Sequence, residues 1–303
     1  FRRVLFRSVF VEYRKKSTEF DVKETTSIGE FKNAIEKECN LSKVRQALKI
    51  MTSEKEPLRL TDETKTFADY AVKEDSHIIL RDMGVQIGYR DVFVLEYLGP
   101  LVIMLVLAMR PSFIYGKCDH HLSEQARIAV IAWTLHYAKR LFETFFVHKF
   151  SHGTMPLTNL FKNCTYYWGF ALFVGYTLCH PLYTPVTNKM VFFAALIGMG
   201  ICECINGAVH IQFSRMRKAD GSQERPIPMG PLFQFVSCPN YCAEVCSWIC
   251  FTVFTHSLPS LLFTVTGFLQ MYVWAVKKHK GYLKTYGDAY KKLHRKAIIP
   301  FLL

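Results

Sequence analysis

Several apolar, helix-length segments of this chain carry side chains of the types that transfer protons and stabilise charge. Glu96, Tyr137, Lys139, Glu203 and Glu244 all lie within such segments. A charged side chain at the centre of a bilayer costs on the order of 3 kcal/mol, so these residues are candidates for acid–base or electrostatic chemistry. The structural alternative is that such residues form internal ion pairs or extend their charged ends to the membrane surface.

The spacing of the polar residues predicts that they share one interior cavity. Asn206 and His210 are four residues apart, as are Asn240 and Glu244. Residues at this spacing lie on one face of a helix. Because separate segments carry such faces, we expect the faces to converge on one site.

The stretch 146–170, FVHKFSHGTMPLTNLFKNCTYYWGF, holds more polar groups than a simple connection requires. His148 and His152 flank a lysine, and a Gly-Thr-Met-Pro turn and two asparagines follow. Apolar segments lie on both sides. We predict that this loop caps a membrane-embedded active site and faces an anionic cofactor.

No metal site is predicted from the histidines and cysteines. His148 and His152 are expected to contact the loop or a phosphate group. A stripe of cysteines along one helix cannot close a tetrahedral site, because metal ligands must converge on one point. We interpret these cysteines as small packing residues at a helix interface: Cys238, Cys242, Cys246 and Cys250.

Six segments are long and apolar enough to be predicted as membrane spans, namely 91–109, 125–147, 164–184, 190–212, 234–256 and 258–276. Basic residues cluster in the loops 148–163 and 213–233 and in the tail after 276, whereas the opposite side holds only Arg110, Lys117 and Lys189. The positive-inside rule therefore predicts that these loops and the tail are cytosolic. Any chemistry must lie within the helical bundle and at its cytosolic mouth.

Residues 9–84 are predicted to form an α+β, ubiquitin-like β-grasp domain, with an unrelated α+β domain as the alternative. SVFVEYRK and TEFDVKET alternate apolar and polar residues, as the strands of a hairpin do. Ser27 and Glu30 form a predicted capping box for the helix that follows. One face of this helix should be apolar and should hold Ile28, Phe31 and Ile35. Ala34 is also expected there, although its spacing fits that face less well.

Residues 1–8, FRRVLFRS, match a translated sequencing adapter and are interpreted as an assembly artefact. The predicted domains are therefore 9–84 and a transmembrane domain at 85–303.

The ten cysteines lie mostly in apolar segments, which favours reduced thiols. The net charge is +13, and the basic residues cluster beside the apolar segments, which argues against nucleic-acid binding. The sequence contains no glycine-rich nucleotide-binding loop.

Four motifs resemble those of the steroid 5α-reductase family, and specifically its very-long-chain enoyl-CoA reductase branch. They are HKFSHGTMPLTNLFKNCTYYWGF, HPLYTP, the segment VSCPNY with its following Glu and Ser-Trp, and the terminal RKAIIPFLL. The resemblance covers nearly the whole chain from about residue 9. It implies a multi-pass α-helical membrane protein of about six transmembrane helices with a ubiquitin-like domain before them.

The resemblance also implies an enzyme of the endoplasmic reticulum membrane. The implied reaction reduces a long-chain trans-2-enoyl-CoA to the saturated acyl-CoA with NADPH, the last step of very-long-chain fatty acid elongation. A fatty acid elongase and a 3-hydroxyacyl-CoA dehydratase are the implied partners. CoA and NADPH are polyanions, so the basic cytosolic mouth suits both of them.

Two catalytic pairs follow from the resemblance, and the sequence leaves the choice between them open. One pair is Tyr241 of the PNY motif, as proton donor or oxyanion partner, with Lys139. The other pair is Glu96 with Tyr137. The family positions for NADPH fall on Asn206, His210, Arg217, Asn240, Glu244, Trp248, His279 and Tyr282, and the His148–Pro156 loop, with His152, is expected to close over the cofactor.

This sequence departs from the family pattern at three places that affect the cofactor site. His210 stands where steroid reductases have an acidic residue. Ser151–Thr154 stands where the family has a cofactor-binding loop that contains an asparagine and an arginine. The segment NYCAE has smaller residues than expected before its glutamate.

Two other functions are considered: a non-catalytic membrane adaptor, and a membrane methyltransferase of the isoprenylcysteine type that would use S-adenosylmethionine.

Overall fold

The computed structural model describes residues 6–51, 57–118, 121–150, 153–217 and 226–302. The chain forms two compact units. The first comprises residues up to 88 together with 154–159, and the second comprises 89–153 and 160–303.

The first unit is built on a mixed five-stranded sheet with one helix, as the alternating pattern predicts. Its elements are β1 (Phe6–Tyr13), β2 (Lys16–Lys23), α1 (Ile28–Cys39), β3 (Gln46–Ile50), β4 (Leu58–Arg59) and β5 (Ser76–Asp82). The strand order is β2-β1-β5-β3-β4. β1 pairs with β5 in parallel, and the other pairs are antiparallel. This is the arrangement of a β-grasp fold. β1 begins inside the segment 1–8, where Phe6 pairs with Lys23.

Helix α1 begins at the predicted capping box. The Ser27 hydroxyl accepts from the Glu30 backbone N–H, and a Glu30 carboxylate oxygen accepts from the Ser27 N–H at 2.9 Å. Ile28, Phe31 and Ile35 are fully buried. The weaker expectation for Ala34 is wrong, because this residue is exposed on the side of the helix away from the sheet.

The same unit contains a short second sheet that the sequence did not predict. β6 (Gln86–Gly88) pairs antiparallel with β7 (Thr154–Pro156), and the Leu157 N–H donates to the Val85 carbonyl at 2.8 Å. Part of the predicted loop 148–163 is therefore a strand, and the next helix already begins at Leu157.

The second unit is helical. Its elements are α2 (Tyr89–Ala108), α3 (Ser112–Tyr115), α4 (Glu124–Phe142) with a π-helical turn at Glu143–Val147, α5 (Leu157–Cys179), α6 (Lys189–Arg215), α7 (Pro239–Thr255), α8 (Leu258–Tyr286) and α9 (Asp288–Lys291). Each of the six predicted spans coincides with a helix. In the part of the chain that the structure describes, α2, α6 and α8 are long and apolar enough to cross a membrane. The others are shorter or more polar, so a count of six stays a prediction.

An aromatic core holds α4, α7 and α8 together in the second unit. The Trp133 ring lies 5.4 Å from the rings of both Trp248 and Phe263 and 5.6 Å from that of Phe251. All four side chains are buried. Large rings bury much apolar area and pack in specific orientations, so this core fixes the helices that carry the candidate site.

Candidate active site

The π-helical turn at the end of α4 positions the first cluster of charges. Its first residue, Glu143, is buried and accepts from Arg140 Nη1 at 2.7 Å. The same Oε2 lies 2.9 Å from His210 Nδ1 on α6, and Oε1 lies 3.7 Å from Lys139 Nζ. A π-helical turn changes the direction in which following side chains point, and such turns are frequent at functional sites.

Lys139 links α4 to α6 through its ammonium group, and Asn206 extends the link to α7. Its Nζ lies 2.7 Å from Glu203 Oε2 and 2.6 Å from Asn206 Oδ1 on α6. The Asn206 amide then donates to Glu244 Oε2 at 2.9 Å and to the Asn240 carbonyl at 3.0 Å on α7. The predicted convergence of Lys139, Asn206, Asn240 and Glu244 is therefore observed.

His136 closes this network from the other side. Its Nδ1 lies 2.9 Å from Glu203 Oε1, and its Nε2 lies 3.4 Å from Glu244 Oε1. Ser247 Oγ also donates to Glu203 Oε1 at 2.6 Å. Since the remaining oxygen of Glu203 binds Lys139, both of its oxygens are used. The result is a closed ring of polar side chains inside the bundle.

Two buried polar atoms beside this ring make no hydrogen bond among the described residues: the Tyr137 hydroxyl and Asn240 Oδ1. Tyr137 is 1% exposed, and the Trp248 ring lies 6.3 Å from its own. Leaving a buried hydroxyl or amide oxygen without a partner costs about 1–3 kcal/mol. Such atoms are candidates for contacts with a ligand.

Glu96 lies on α2 and is buried, as a candidate catalytic carboxylate should be. Its Oε2 accepts from Asn163 Nδ2 at 2.8 Å. The adjacent Tyr97 hydroxyl accepts from Arg140 Nη2 at 2.8 Å, and the Tyr97 ring lies 6.3 Å from that of Tyr137. Tyr97 is therefore both the sequence neighbour of Glu96 and a ring neighbour of Tyr137.

Tyr241 is half-buried in the first turn of α7, where its ring lies 6.2 Å from that of Trp274. Among the described residues its side chain makes no hydrogen bond, and none joins it to Lys139. Tyr241 follows Asn240 directly, and Asn240 is part of the polar ring. Tyr241 is thus connected to Lys139 only through its neighbour Asn240 and through Asn206. The geometry does not pair Tyr241 directly with Lys139.

Three predicted cofactor residues make contacts with residues outside the polar ring. His279 Nδ1 lies 2.6 Å from Ser237 Oγ, and the Tyr282 ring lies 5.1 Å from that of Tyr290. Arg217 follows the end of α6, where its backbone N–H donates to the Ser214 carbonyl. The fourth, His152, lies outside the described residues.

His148, in the loop after the π-helical turn, is positioned against the first cluster. Its ring lies 5.1 Å from that of His210, and its Nε2 is 4.0 Å from Glu143 Oε2. Burial, followed by the positive charge of Arg140, lowers the pKa of His148 to about 3. At neutral pH this imidazole is uncharged, so it offers a hydrogen bond and not a cation to a bound phosphate.

Glu143, His148 and His210 have ligand atoms within 4.8 Å of one another, a geometry suited to a metal ion. The sequence did not indicate this group, because His210 lies more than 60 residues after the stretch that holds Glu143 and His148. The Arg140 guanidinium already contacts Glu143 and His210, at 2.7 and 3.2 Å, and supplies a positive charge there. The expectation of no metal stays a prediction.

Sequence reasoning missed His136, Tyr97, Asn163 and Ser247 as members of the site. His136 precedes Tyr137 and lies one turn before Lys139, so its helical spacing was a usable signal. Asn163 is one of the two asparagines of the 146–170 stretch, and Ser247 belongs to the Ser-Trp of the VSCPNY motif, but neither was assigned a contact in the site. Glu203 was noted as a polar residue within a span, but its position between Lys139 and His136 is a property of the packing.

Known proteins are similar to this chain over most of its length. Residues 153–303 match the family model described as 3-oxo-5-alpha-steroid 4-dehydrogenase. The very-long-chain enoyl-CoA reductase of Dictyostelium discoideum is 42% identical over 296 residues, which cover 96% of each chain. A Trypanosoma brucei brucei protein, provisionally named an enoyl-CoA reductase, is 47% identical over 267 residues, which cover 86% of this chain and 88% of that one.

Two further similarities are partial. The human trans-2,3-enoyl-CoA reductase-like protein is 41% identical over 238 residues, which cover 73% of this chain and 63% of the human one. The solution structure of a ubiquitin-like domain from Arabidopsis thaliana aligns with 28% of this chain and 85% of that domain, at 20% identity and a TM-score of 0.24. The full-length identities above show the relationship: the chain belongs to the very-long-chain enoyl-CoA reductases of the steroid 5α-reductase family.

Proposed function

We propose that this oxidoreductase reduces a long-chain trans-2-enoyl-CoA to the saturated acyl-CoA with NADPH, the last step of each fatty acid elongation cycle. The names of its relatives support the reaction. The structural observation that carries the proposal is the buried, unpartnered Tyr137 hydroxyl beside the Lys139–Glu244 polar ring. An acyl chain is soluble in a bilayer, so a reaction site between membrane helices suits it.

The residues of the ring fit a bound nicotinamide cofactor. Asn240 Oδ1 is buried and makes no hydrogen bond to the described residues, and the Asn206 amide donates to both the Asn240 carbonyl and Glu244 Oε2. We assign Asn206, His210, Asn240, Glu244 and Trp248 to the cofactor. On the resemblance alone we add Arg217, His279, Tyr282 and His152. Bound NADPH would supply the hydride that adds to the β-carbon of the substrate.

Tyr137 is assigned to the thioester carbonyl. As hydride adds to the β-carbon, negative charge develops on that oxygen. A hydroxyl that is fixed by packing and is free of other hydrogen bonds can donate to the oxygen without reorganisation. The Tyr97 ring lies 6.3 Å from that of Tyr137, and the Arg140 guanidinium that donates to the Tyr97 hydroxyl adds positive potential.

The proton for the α-carbon requires a second donor. We assign this step to Tyr241, with Glu96 as the alternative acid. Tyr241 is half-buried in the first turn of α7, directly after Asn240. Lys139 acts through charge, because its ammonium group is held between Glu203 and Asn206. Among the described residues no hydrogen bond joins Lys139 to Tyr241, so this charge would favour the phenolate form of Tyr241 through space and not by contact.

We place the protein in the endoplasmic reticulum membrane with the site mouth on the cytosolic side. The apolar helices α2, α6 and α8 support membrane insertion. The side assignment comes from the distribution of lysine and arginine. A fatty acid elongase and a 3-hydroxyacyl-CoA dehydratase are the proposed partners, since they would produce the substrate of this step.

The test is oxidation of NADPH by the detergent-purified chain with a long-chain trans-2-enoyl-CoA. We expect substrate-dependent oxidation that is lost in Tyr241→Phe and retained in Tyr272→Phe, a half-buried tyrosine on α8. Equal rates in the two variants would remove Tyr241 from the mechanism. NADH in place of NADPH tests the cofactor preference.

Two outcomes would favour the other functions considered. NADPH binding without oxidation of any enoyl-CoA would favour a non-catalytic adaptor. Binding of S-adenosylmethionine with no NADPH binding would favour a membrane methyltransferase. Either result would contradict the proposal.

The phosphate role of Arg217 has its own test. Arg217→Ala should raise the KM for NADPH more than the KM for the acyl substrate, because a lost guanidinium weakens phosphate binding. Arg215→Ala is the matched control, since Arg215 is the exposed last residue of α6. An unchanged KM for NADPH in Arg217→Ala would refute the assignment.

A further inference from the structure

A cavity of about 290 Å³ lies at the end of the helical unit where α2 and α5 end and α4 begins. Its lining includes Arg110, Lys117, His121, His180 and Ser123. His180 is the first residue of the HPLYTP motif, and the proposed reaction assigns no role to this motif. Arg110 and Lys117 are two of the three basic residues predicted for the non-cytosolic side.

The cavity is separate from the candidate active site. Ser123 caps the first turn of α4, whereas Lys139 lies in its last turn. This helix has 19 residues, and at 1.5 Å per residue it is about 28 Å long. The two sites are therefore at opposite ends of one helix.

The charge of the lining favours an anion. Of the five residues named above, one is an arginine, one is a lysine and two are histidines, and none of the described lining residues is acidic. Arg110 is positioned by a hydrogen bond from its Nε to the Cys179 carbonyl at 2.7 Å. This bond satisfies a carbonyl at the end of α5 and places the guanidinium at the cavity.

The surroundings of the cavity are those of a membrane surface. The candidate span α2 ends at Ala108, directly before this region. Three large apolar side chains within four residues of the lining are exposed: Met109 by 74%, Phe113 by 86% and Leu182 by 82%. Apolar side chains that project beside a basic cavity fit the level where lipid headgroups meet acyl chains.

We propose that this cavity binds a phosphate group, which an anionic phospholipid of the non-cytosolic leaflet would supply. Lysine and arginine bind phosphate by charge-assisted hydrogen bonds, and a histidine N–H adds a further donor. The volume holds a phosphate group with several waters at about 30 Å³ each. The exposed apolar side chains would contact the acyl chains of the same lipid.

The test uses the full chain in neutral detergent with three ligands: dioctanoyl phosphatidic acid, dioctanoyl phosphatidylcholine and inorganic phosphate. The local readout is protection of Cys118, which lines the cavity, from alkylation by N-ethylmaleimide. Peptide mass spectrometry resolves this cysteine from the other nine. Cys204, exposed on α6, serves as the internal control.

The variant is Lys117→Gln with His121→Gln, because both side chains are exposed and their replacement leaves the fold intact. Arg110 is kept because it also bonds to α5. The matched control is Lys189→Gln, the third basic residue of this side, which is exposed at the start of α6 and outside the cavity.

We expect phosphatidic acid to protect Cys118, and the double variant to bind it about tenfold or more weakly for the loss of charge-assisted bonds. Lys189→Gln should bind it normally. Protection by inorganic phosphate as well would support the phosphate site and identify a free anion as a source. Equal protection by phosphatidylcholine, or unchanged affinity in the double variant, would overturn the proposal.

Discussion

Lys139 lies between two carboxylates, and this position determines what the residue can do. Its Nζ is 2.7 Å from Glu203 and 3.7 Å from Glu143. Both carboxylates are within ion-pair distance of the ammonium group, which also donates to Asn206 Oδ1 at 2.6 Å. We therefore assign Lys139 to holding the polar ring together and to supplying positive potential there.

Tyr137→Phe should lower kcat about a hundredfold, since removal of one donor to a developing oxyanion costs this much or more. The free energy of unfolding should not fall, because the hydroxyl makes no hydrogen bond among the described residues. Steady-state kinetics and thermal unfolding of the same preparation check both parts. A normal kcat with normal stability would exclude Tyr137 from the reaction.

Glu203→Gln should destabilise the helical unit by about 1–3 kcal/mol, because it removes the carboxylate that Lys139, His136 and Ser247 all contact. Thermal unfolding in detergent measures the effect. Glu124→Gln is the matched control, since Glu124 is an exposed carboxylate on α4. Similar melting temperatures for the two variants would show that the ring does not depend on Glu203.

At the scale of elements, the π-helical turn Glu143–Val147 is the feature with the greatest effect on the site. Sequence periodicity predicted an uninterrupted span over 125–147, whereas α4 ends at Phe142 and the helix widens. Glu143 thereby reaches Arg140, Lys139 and His210 at once. A regular helix pattern carries no information on such a turn, because the turn depends on partners from α6.

Helix α1 offers a prediction at the same scale. Ser27→Ala removes the capping hydroxyl and should cost about 1 kcal/mol in the stability of the first unit. Hydrogen exchange of the α1 amides in the full chain measures it. Ser42→Ala is the matched control, because Ser42 precedes a 3₁₀ turn and its side chain makes no cap bond. Equal exchange in both variants would contradict the capping role.

At the scale of the whole molecule, the first unit is discontinuous in sequence. The strand β7 and the start of α5 belong to it, although the segments before and after them belong to the helical unit. The predicted boundary at residue 84 therefore lies close to the end of the β-grasp sheet but does not include the β6–β7 pair. The pair forms only when residues 86–88 and 154–156 meet.

Deletion of residues 9–84 should leave a chain that inserts into membranes and binds NADPH. The deletion keeps Val85 and β6, so the bonds to Leu157 and β7 remain. Resistance to alkaline carbonate extraction and retention on an NADP affinity resin measure insertion and binding. A chain that is extracted or degraded would mean that the helical unit depends on the β-grasp domain for folding.

The sequence by itself determined the helices, the β-grasp strands and the chemical types at the site. Periodicity and composition report which face of each element is buried, and this information is local. The capping box of Ser27 and the faces of Asn206 and Asn240 were readable for that reason. Family resemblance added the reaction and the motif residues.

Only the tertiary structure decided which side chains are partners. His136, Glu203 and Ser247 come from three helices, and their hydrogen bonds depend on helix packing that no local pattern encodes. The same is true of the unpartnered Tyr137 hydroxyl, since a missing bond can be recognised only when all neighbours are in place. The basic cavity at the other end of α4 also arises from residues far apart in the chain.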